Sequence, residues 1–147
     1  WRVLSPAAPF TEGRPYDTEG FNKAIIILTD GVNFFSGVSF RCTRTNPKYN
    51  SQYTGYGYAS EGRLGTTSRS VAQSRLNDRL LEVCQNIKNA GIIVYTITFQ
   101  LSHIDTLAIF EDCASDPSKF FNSPSNEQLR AAFRAIGAEL GNLRLAQ

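Results

Sequence analysis

The apolar positions of this chain fall into short unbroken runs and longer periodic stripes, and the two kinds alternate. Residues 23–31 read KAIIILTDG. Ala24, Ile25, Ile26, Ile27 and Leu28 run straight into Thr29, Asp30 and Gly31. A run this short, apolar and β-branched predicts a strand over 23–29 buried on both faces, as in a parallel sheet. Leu76, Leu80, Val83, Cys84, Ile87 and Ala90 then recur at helical spacing, which predicts a helix over 76–90 with one buried face. Gly91 supplies its stop, because glycine takes the left-handed conformation without a Cβ penalty. Residues 92–99, IIVYTITF, are the densest β-branched segment and predict the second strand. Ser102 is placed to cap a short helix over 103–114, with Asp105 in a capping-box-like position and Leu107, Ile109, Phe110 and Cys113 as apolar contacts. Pro117 lies just past its end. Residues 119–122 form a third, short strand carrying Phe120 and Phe121. Ser125 caps the last helix, with Gln128 at the reciprocal position, and Leu129, Ala132, Phe133, Ile136, Leu140 and Leu143 make its stripe.

Strands alternating with helices predict an α/β fold with a parallel sheet and right-handed crossovers. Three strands and few helices leave such a sheet poorly covered. The chain opens at Trp1, contains no methionine, and starts with a Pro- and Gly-rich irregular lead-in over 1–22. These features read as a piece of a longer protein whose further strands and helices lie upstream. Within one domain over 1–147, residues 1–22 are the lead-in, in which Phe10, Tyr16 and Phe21 pin the loop. Residues 23–31 are the strand and its TDG loop, 32–75 a polar tyrosine-rich insertion, and 76–147 the α/β repeats and last helix.

Composition narrows the function. A length of 147 residues suits one domain, and 41% hydrophobic against 19% charged residues means a globular chain. A formal net charge of +2, with no basic block, disfavours nucleic acid as a partner. No apolar run approaches the ~20 residues that span a bilayer. With three cysteines, a single histidine and no C-x-x-C pair, a structural zinc site is disfavoured.

Three groups of residues carry candidate chemistry. Asp30 stands where the first strand ends, and ligands of open α/β sheets bind outside the carboxyl ends of strands. Its alternatives are a ligand-binding carboxylate or a cap of a turn or helix start. Thr29 is a turn or supporting residue, and Gly31 permits a sharp turn. Successive right-handed crossovers put the helices carrying Cys84 and Cys113 side by side on one face of the sheet. The pair is either a disulfide, worth about 3–4 kcal/mol in the chain-entropy account, or two buried thiols. Cys42, in the insertion, is left over. The insertion brings Tyr49, Tyr53, Tyr56 and Tyr58 close in sequence. It is either a solvated loop or a recognition surface of rigid tyrosines, with a short hairpin pairing 38–43 with 52–58.

The strand ending ILTDG, the helix with Cys84 closed by KNAGI, and the strand VYTITF resemble a von Willebrand factor A domain. The segments WRVLSP…PF, LLEVCQNIKNAGIIVYTITFQ, CASDPSKFFNSPSNEQLRAAFRAIGAEL and NLRLAQ resemble the C-terminal half of TadG-like proteins of the bacterial tight-adherence (Flp) pilus system. The resemblance covers nearly the whole chain outside the tyrosine-rich insertion. It implies a Rossmann-like sheet flanked by helices, with residues 23–31 as a central strand. It also implies a metal-ion-dependent adhesion site for Mg²⁺ or another divalent cation, built from a D-x-S-x-S motif, a threonine and an aspartate. Asp30 matches the aspartate, with Thr29 as a supporting residue. No D-x-S-x-S occurs in this sequence, so the resemblance implies a partial site that holds metal weakly without the rest of its parent.

The function this implies is a non-enzymatic adhesion or protein-binding module. Its partners would be pilus or cell-envelope proteins, at the periplasmic or extracellular face. The parent would be membrane-anchored through an N-terminal helix. An oxidising compartment suits a Cys84–Cys113 bond. One alternative is a structural scaffold with a degenerate metal site. Another is a Rossmann-like hydrolase using His103, or Asp30 with Asp105 or Asp112, although no G-x-G-x-x-G, P-loop or G-x-S-x-G supports it. An open sheet edge and face also predict self-association.

Overall fold

The computed structural model describes residues 1–34 and 51–145, with 143–145 described by backbone alone. Its contacts divide the chain into two compact units, Trp1–Val32 with Leu81–Gln147, and Asn33–Leu80.

The first unit is built on a parallel sheet of β1 (Ala24–Thr29), β2 (Ile93–Phe99) and β3 (Phe120–Ser123), in the order β1-β2-β3. Register aligns Ala24 with Ile93 and Thr29 with Thr98, while Thr98 in turn faces Asn122. Three helices accompany the strands: α1 (Arg69–Asn89), α2 (Ile104–Cys113) and α3 (Asn126–Leu145). The mixed α/β, parallel-sheet expectation is met.

Strand β2 is central, and Val94, Tyr95, Thr96, Ile97 and Thr98 are all fully buried. Alternation divides them between two faces. Tyr95 and Ile97 pack with Ala132 and Ile136 of α3. On the other face the Thr96 hydroxyl donates to the Phe110 carbonyl of α2 at 2.7 Å, so the buried threonine keeps a partner. The β1 expectation is corrected here. Among the described strands β1 is an edge, and Ile26 and Leu28 are 41% and 50% exposed. These residues pair with Tyr95 and Ile97, so they share the face that α3 covers over β2. That cover reaches only Ala24 of β1, so the strand is half-buried at Ile25 and Ile27 on one face and exposed at Ile26 and Leu28 on the other.

Cys84 of α1 and Cys113 of α2 form a disulfide with a Cα–Cα separation of 5.2 Å, and both are buried. The two-thiol alternative is thereby set aside. Beside it, Lys88 Nζ donates to the carbonyls of Asp112 at 2.8 Å and Ala114 at 3.2 Å, tying the ends of both helices together. Gly91 has φ +73°, with its N–H on the Lys88 carbonyl and the Ile92 N–H on Ile87. This is a Schellman stop, closed by the buried pair Ile87 and Ile92.

Three element ends differ from the sequence reading. Helix α1 starts at Arg69, not 76, because Ala72 and Leu76 extend its buried row into a second apolar cluster. Val83 and Phe133, expected on buried stripes, are 43% and 46% exposed. His103, not Ser102, is the N-cap residue of α2 and makes no side-chain bond to the helix backbone. Ser125 does cap α3, accepting the Gln128 N–H at 3.3 Å. The Leu143 side chain and residues 38–43 of the proposed hairpin lie outside what is described, as do Cys42 and Tyr49.

The lead-in is held differently from the expectation. Phe10, Tyr16 and Phe21 are all more than a third exposed, so they do not pin it by burial. Lys23 does, donating from Nζ to the carbonyls of Leu4 and Arg14. At the amino end of the sheet, Lys119 bridges Asp116 at 2.9 Å and Glu139 at 3.0 Å. Hydrogen bonds from Ser118 and Lys119 hold the Asp116 pKa down, and those from Lys119 to Asp116 and Glu139 hold the Lys119 pKa up. The Tyr95 hydroxyl nearby is buried without a hydrogen-bond partner among the described residues. Burial first, and the Glu139 charge second, push its pKa up.

The second unit has its own small core of Ala59, Leu64 and Ala72, with Leu76 packed against it. Buried Ser51 accepts the Ala59 N–H at 2.8 Å, and Thr54 and Gly57 form an antiparallel bridge that turns the chain. Residues 51–68 are therefore a packed structure and not merely a solvated loop.

Candidate functional site

Two places collect the residues that sequence singled out, one in each unit. The first is the carboxyl rim of the sheet. Thr29, Thr98 and Asn122 lie in register across the three strands, and the Thr98 hydroxyl donates to Asn122 Oδ1 at 3.2 Å. Strand β2 leaves the sheet through Gln100, a non-glycine residue at φ +52°, held there as its N–H donates to the Ser123 carbonyl. Asp30 follows Thr29 directly and is exposed. Among the described residues its carboxylate has no hydrogen-bond or ion-pair partner, so it caps neither a turn nor a helix.

The Thr29 hydroxyl is occupied by the turn itself. It donates to the Gly31 carbonyl at 2.9 Å and accepts the Gly31 N–H at 3.2 Å. This compact turn explains how the chain leaves β1 without a left-handed residue. Gly31 is not at positive φ, and a Cβ there would meet nothing within 4 Å, so the turn expected at Gly31 does not draw on glycine's special freedom.

Among the described residues, no group of three or more His, Cys, Asp or Glu could hold a metal ion. Magnesium needs close to six well-placed oxygens, and one exposed carboxylate falls far short. The described residues therefore do not by themselves fit a resident divalent cation, and Asp30 can only be one ligand of several. The acid-pair idea is also corrected in part. Helix α2 runs back from the carboxyl end of β2, and its last turn, with Asp112, lies at the opposite end of the sheet from Asp30. His103 is exposed, and its Nδ1 is engaged with the Thr106 hydroxyl at 3.2 Å.

The second place is an aromatic surface on the Asn33–Leu80 unit. Tyr53 and Tyr58 meet edge to face with ring centres 5.1 Å apart. Tyr56 and Tyr58 border a depression together with Arg63, Leu64, Thr66 and Ala72. The Arg79 guanidinium sits over the Tyr56 ring at 5.1 Å and donates to the Arg63 carbonyl at 3.4 Å. Three of the four expected tyrosines are thus brought together. Sequence reasoning missed Arg63 and Arg79, which complete the surface. The available signal was local charge, since residues 33–80 hold seven Arg and Lys against two acidic residues.

A hollow of about 400 Å³ lies along β3 and α3, lined by Phe120, Phe121, Ala131 and Ala135 and by the polar Asn122, Ser123 and Gln128. No known protein family, curated protein or solved structure matches the chain. No helix of the described residues is long and apolar enough to cross a membrane.

Proposed function

We propose that the chain is a non-enzymatic adhesion-type module, the C-terminal half of a von Willebrand factor A-like domain in a bacterial envelope protein of tight-adherence pilus assembly. The observation that carries this reading is Asp30, exposed and without a partner among the described residues at the carboxyl rim of a parallel sheet. A buried disulfide between adjoining helices supports the oxidising, periplasmic or extracellular setting. Asp30 would be one ligand of a Mg²⁺-type adhesion site whose other ligands belong to the parent protein. Pilus or envelope proteins would be the partners.

Calorimetric titration of the full-length parent with Mg²⁺ and Mn²⁺ tests the site. Heat of binding that disappears in Asp30→Ala is expected. Absence of heat in both proteins favours the second reading, a structural scaffold with a degenerate site, to which the isolated carboxylate already lends support. Turnover of general ester or phosphoester substrates that is lost in Asp30→Ala overturns both.

A further inference from the structure

The two units differ in charge far more than the whole chain suggests. Residues 33–80 carry seven basic and two acidic residues, whereas the rest carries eight basic and eleven acidic. In the basic unit both acids are already engaged. Glu61 pairs with Arg63 at 2.9 Å, and Asp78 with Arg75 at 3.7 Å. Arg79 has no carboxylate partner among the described residues. Its guanidinium carbon lies 5.1 Å from the Tyr56 ring centre and one of its five donors is used, which leaves the others for a carboxylate. Tyr56 beneath it and Tyr53 of the same unit are 38% and 68% exposed, although aromatic rings are costly to leave in water. Tyr53 is held edge to face by Tyr58 and Tyr56 lies under Arg79, so little entropy is lost when a partner covers them.

From this we infer that the surface of Tyr53, Tyr56, Tyr58, Arg63 and Arg79 docks an acidic protein segment, with a carboxylate on Arg79 and apolar side chains against the tyrosines. The inference rests on the binding-module reading and names the chemistry of its partner. Charge complementarity selects the occupant. A peptide of mixed side chains can place one carboxylate on Arg79 and still avoid Glu61. A nucleic-acid strand carries a phosphate at every step and needs a track of cations. Here the cation next to Arg79 is already neutralised by Glu61.

Selection of a displayed random 12-residue peptide library on the full chain tests the inference, with Arg79→Glu as the counter-target. Enriched peptides should be rich in Asp and Glu, and should bind Arg79→Glu at least about tenfold more weakly. Arg79→Gln and Tyr56→Ser should weaken them about three- to tenfold, at melting temperatures close to that of the parent chain. Asp30→Ala should leave them unchanged. Enriched peptides without acidic bias, or equally bound by Arg79→Glu, overturn the acidic partner and leave the module reading standing. No enrichment at all overturns both. Tighter binding of a labelled 12-nucleotide oligothymidylate, or of phosphatidylserine vesicles, than of any selected peptide also overturns the acidic-protein assignment.

Discussion

The sheet unit and the tyrosine–arginine unit of this chain solve the problem of stability in opposite ways. In the first, a five-residue stretch of β2 is wholly out of water, helix α3 seals one face, and a disulfide locks the helices on the other. In the second, the core among the described residues is Ala59, Leu64 and Ala72 with a partly buried Leu76, while Tyr53, Tyr56, Arg63 and Arg79 stay at the surface. Burial is the main source of folding free energy. A unit that keeps its large side chains exposed gives up that stabilisation and keeps contact area for a partner. The sheet unit does the reverse over β2, and its exposed functional candidate is reduced to a single carboxylate.

The largest expected effect tests the lock. Replacing Cys84 and Cys113 together by alanine should cost about 3–4 kcal/mol, from a loop closed across a sequence separation of 29. Hydrogen exchange should show the loss in β2 and α2. If dithiothreitol lowers the melting temperature of the double variant as much as that of the parent chain, the disulfide is not the lock.

Ile97→Ala comes next. The side chain is fully buried against α3, and its loss should cost about 3 kcal/mol in a urea titration. Leu64→Ala should cost about 2 kcal/mol, with exchange protection lost over residues 51–80 and retained in β2. Equal loss in both units would mean that they are one cooperative body, and the comparison between them would fail.

The Lys119 bridge gives a smaller effect with a defined pH window. The Asp116 pKa lies below its ordinary value near 3.8, so its contribution is present above that value and fades as pH falls through the lower folded pKa. The Lys119 pKa lies above its ordinary 10.5, so its contribution is present below that value and fades as pH rises through the higher folded pKa. Both partners of the bridge are surface-facing in part, which keeps the effect modest. Urea midpoints of Lys119→Met should therefore fall below those of the parent chain at neutral pH and converge with them at both extremes. A gap that stays constant from pH 3 to 11 would show that Lys119 acts through its stem and not its charge.

The smallest expected change is Ile26→Lys. This side chain is 41% exposed on the edge strand, so stability should move by less than about 0.5 kcal/mol. A loss comparable to that of Ile97→Ala would show that a further element covers β1 in solution. Light scattering of the same variant addresses self-association, because an edge lysine opposes strand pairing.

Periodicity and stop signals in the sequence determined the order of elements, the parallel α/β class, the Schellman end at Gly91 and the Ser125 cap. Each depends on a few adjacent residues and on backbone geometry that the chain carries with it. Topology rules narrowed Cys84 and Cys113 to two outcomes, and the packing of α1 beside α2 chose the disulfide. Sequence also placed Asp30 at the end of its strand.

Coverage was decided only in three dimensions. KAIIILTDG reads as buried on both faces, yet the cluster under α3 takes in only Ala24 of β1 and leaves Ile26 and Leu28 about half exposed. The helix begins at Arg69, ahead of the stripe that starts at Leu76, where Ala72 and Leu76 pack with Leu64 and Ala59. The arginines that complete the tyrosine surface stand 16 residues apart in sequence, and no local pattern joins them. A chain can encode how each segment folds, but which neighbour covers a side chain is a property of the whole packing.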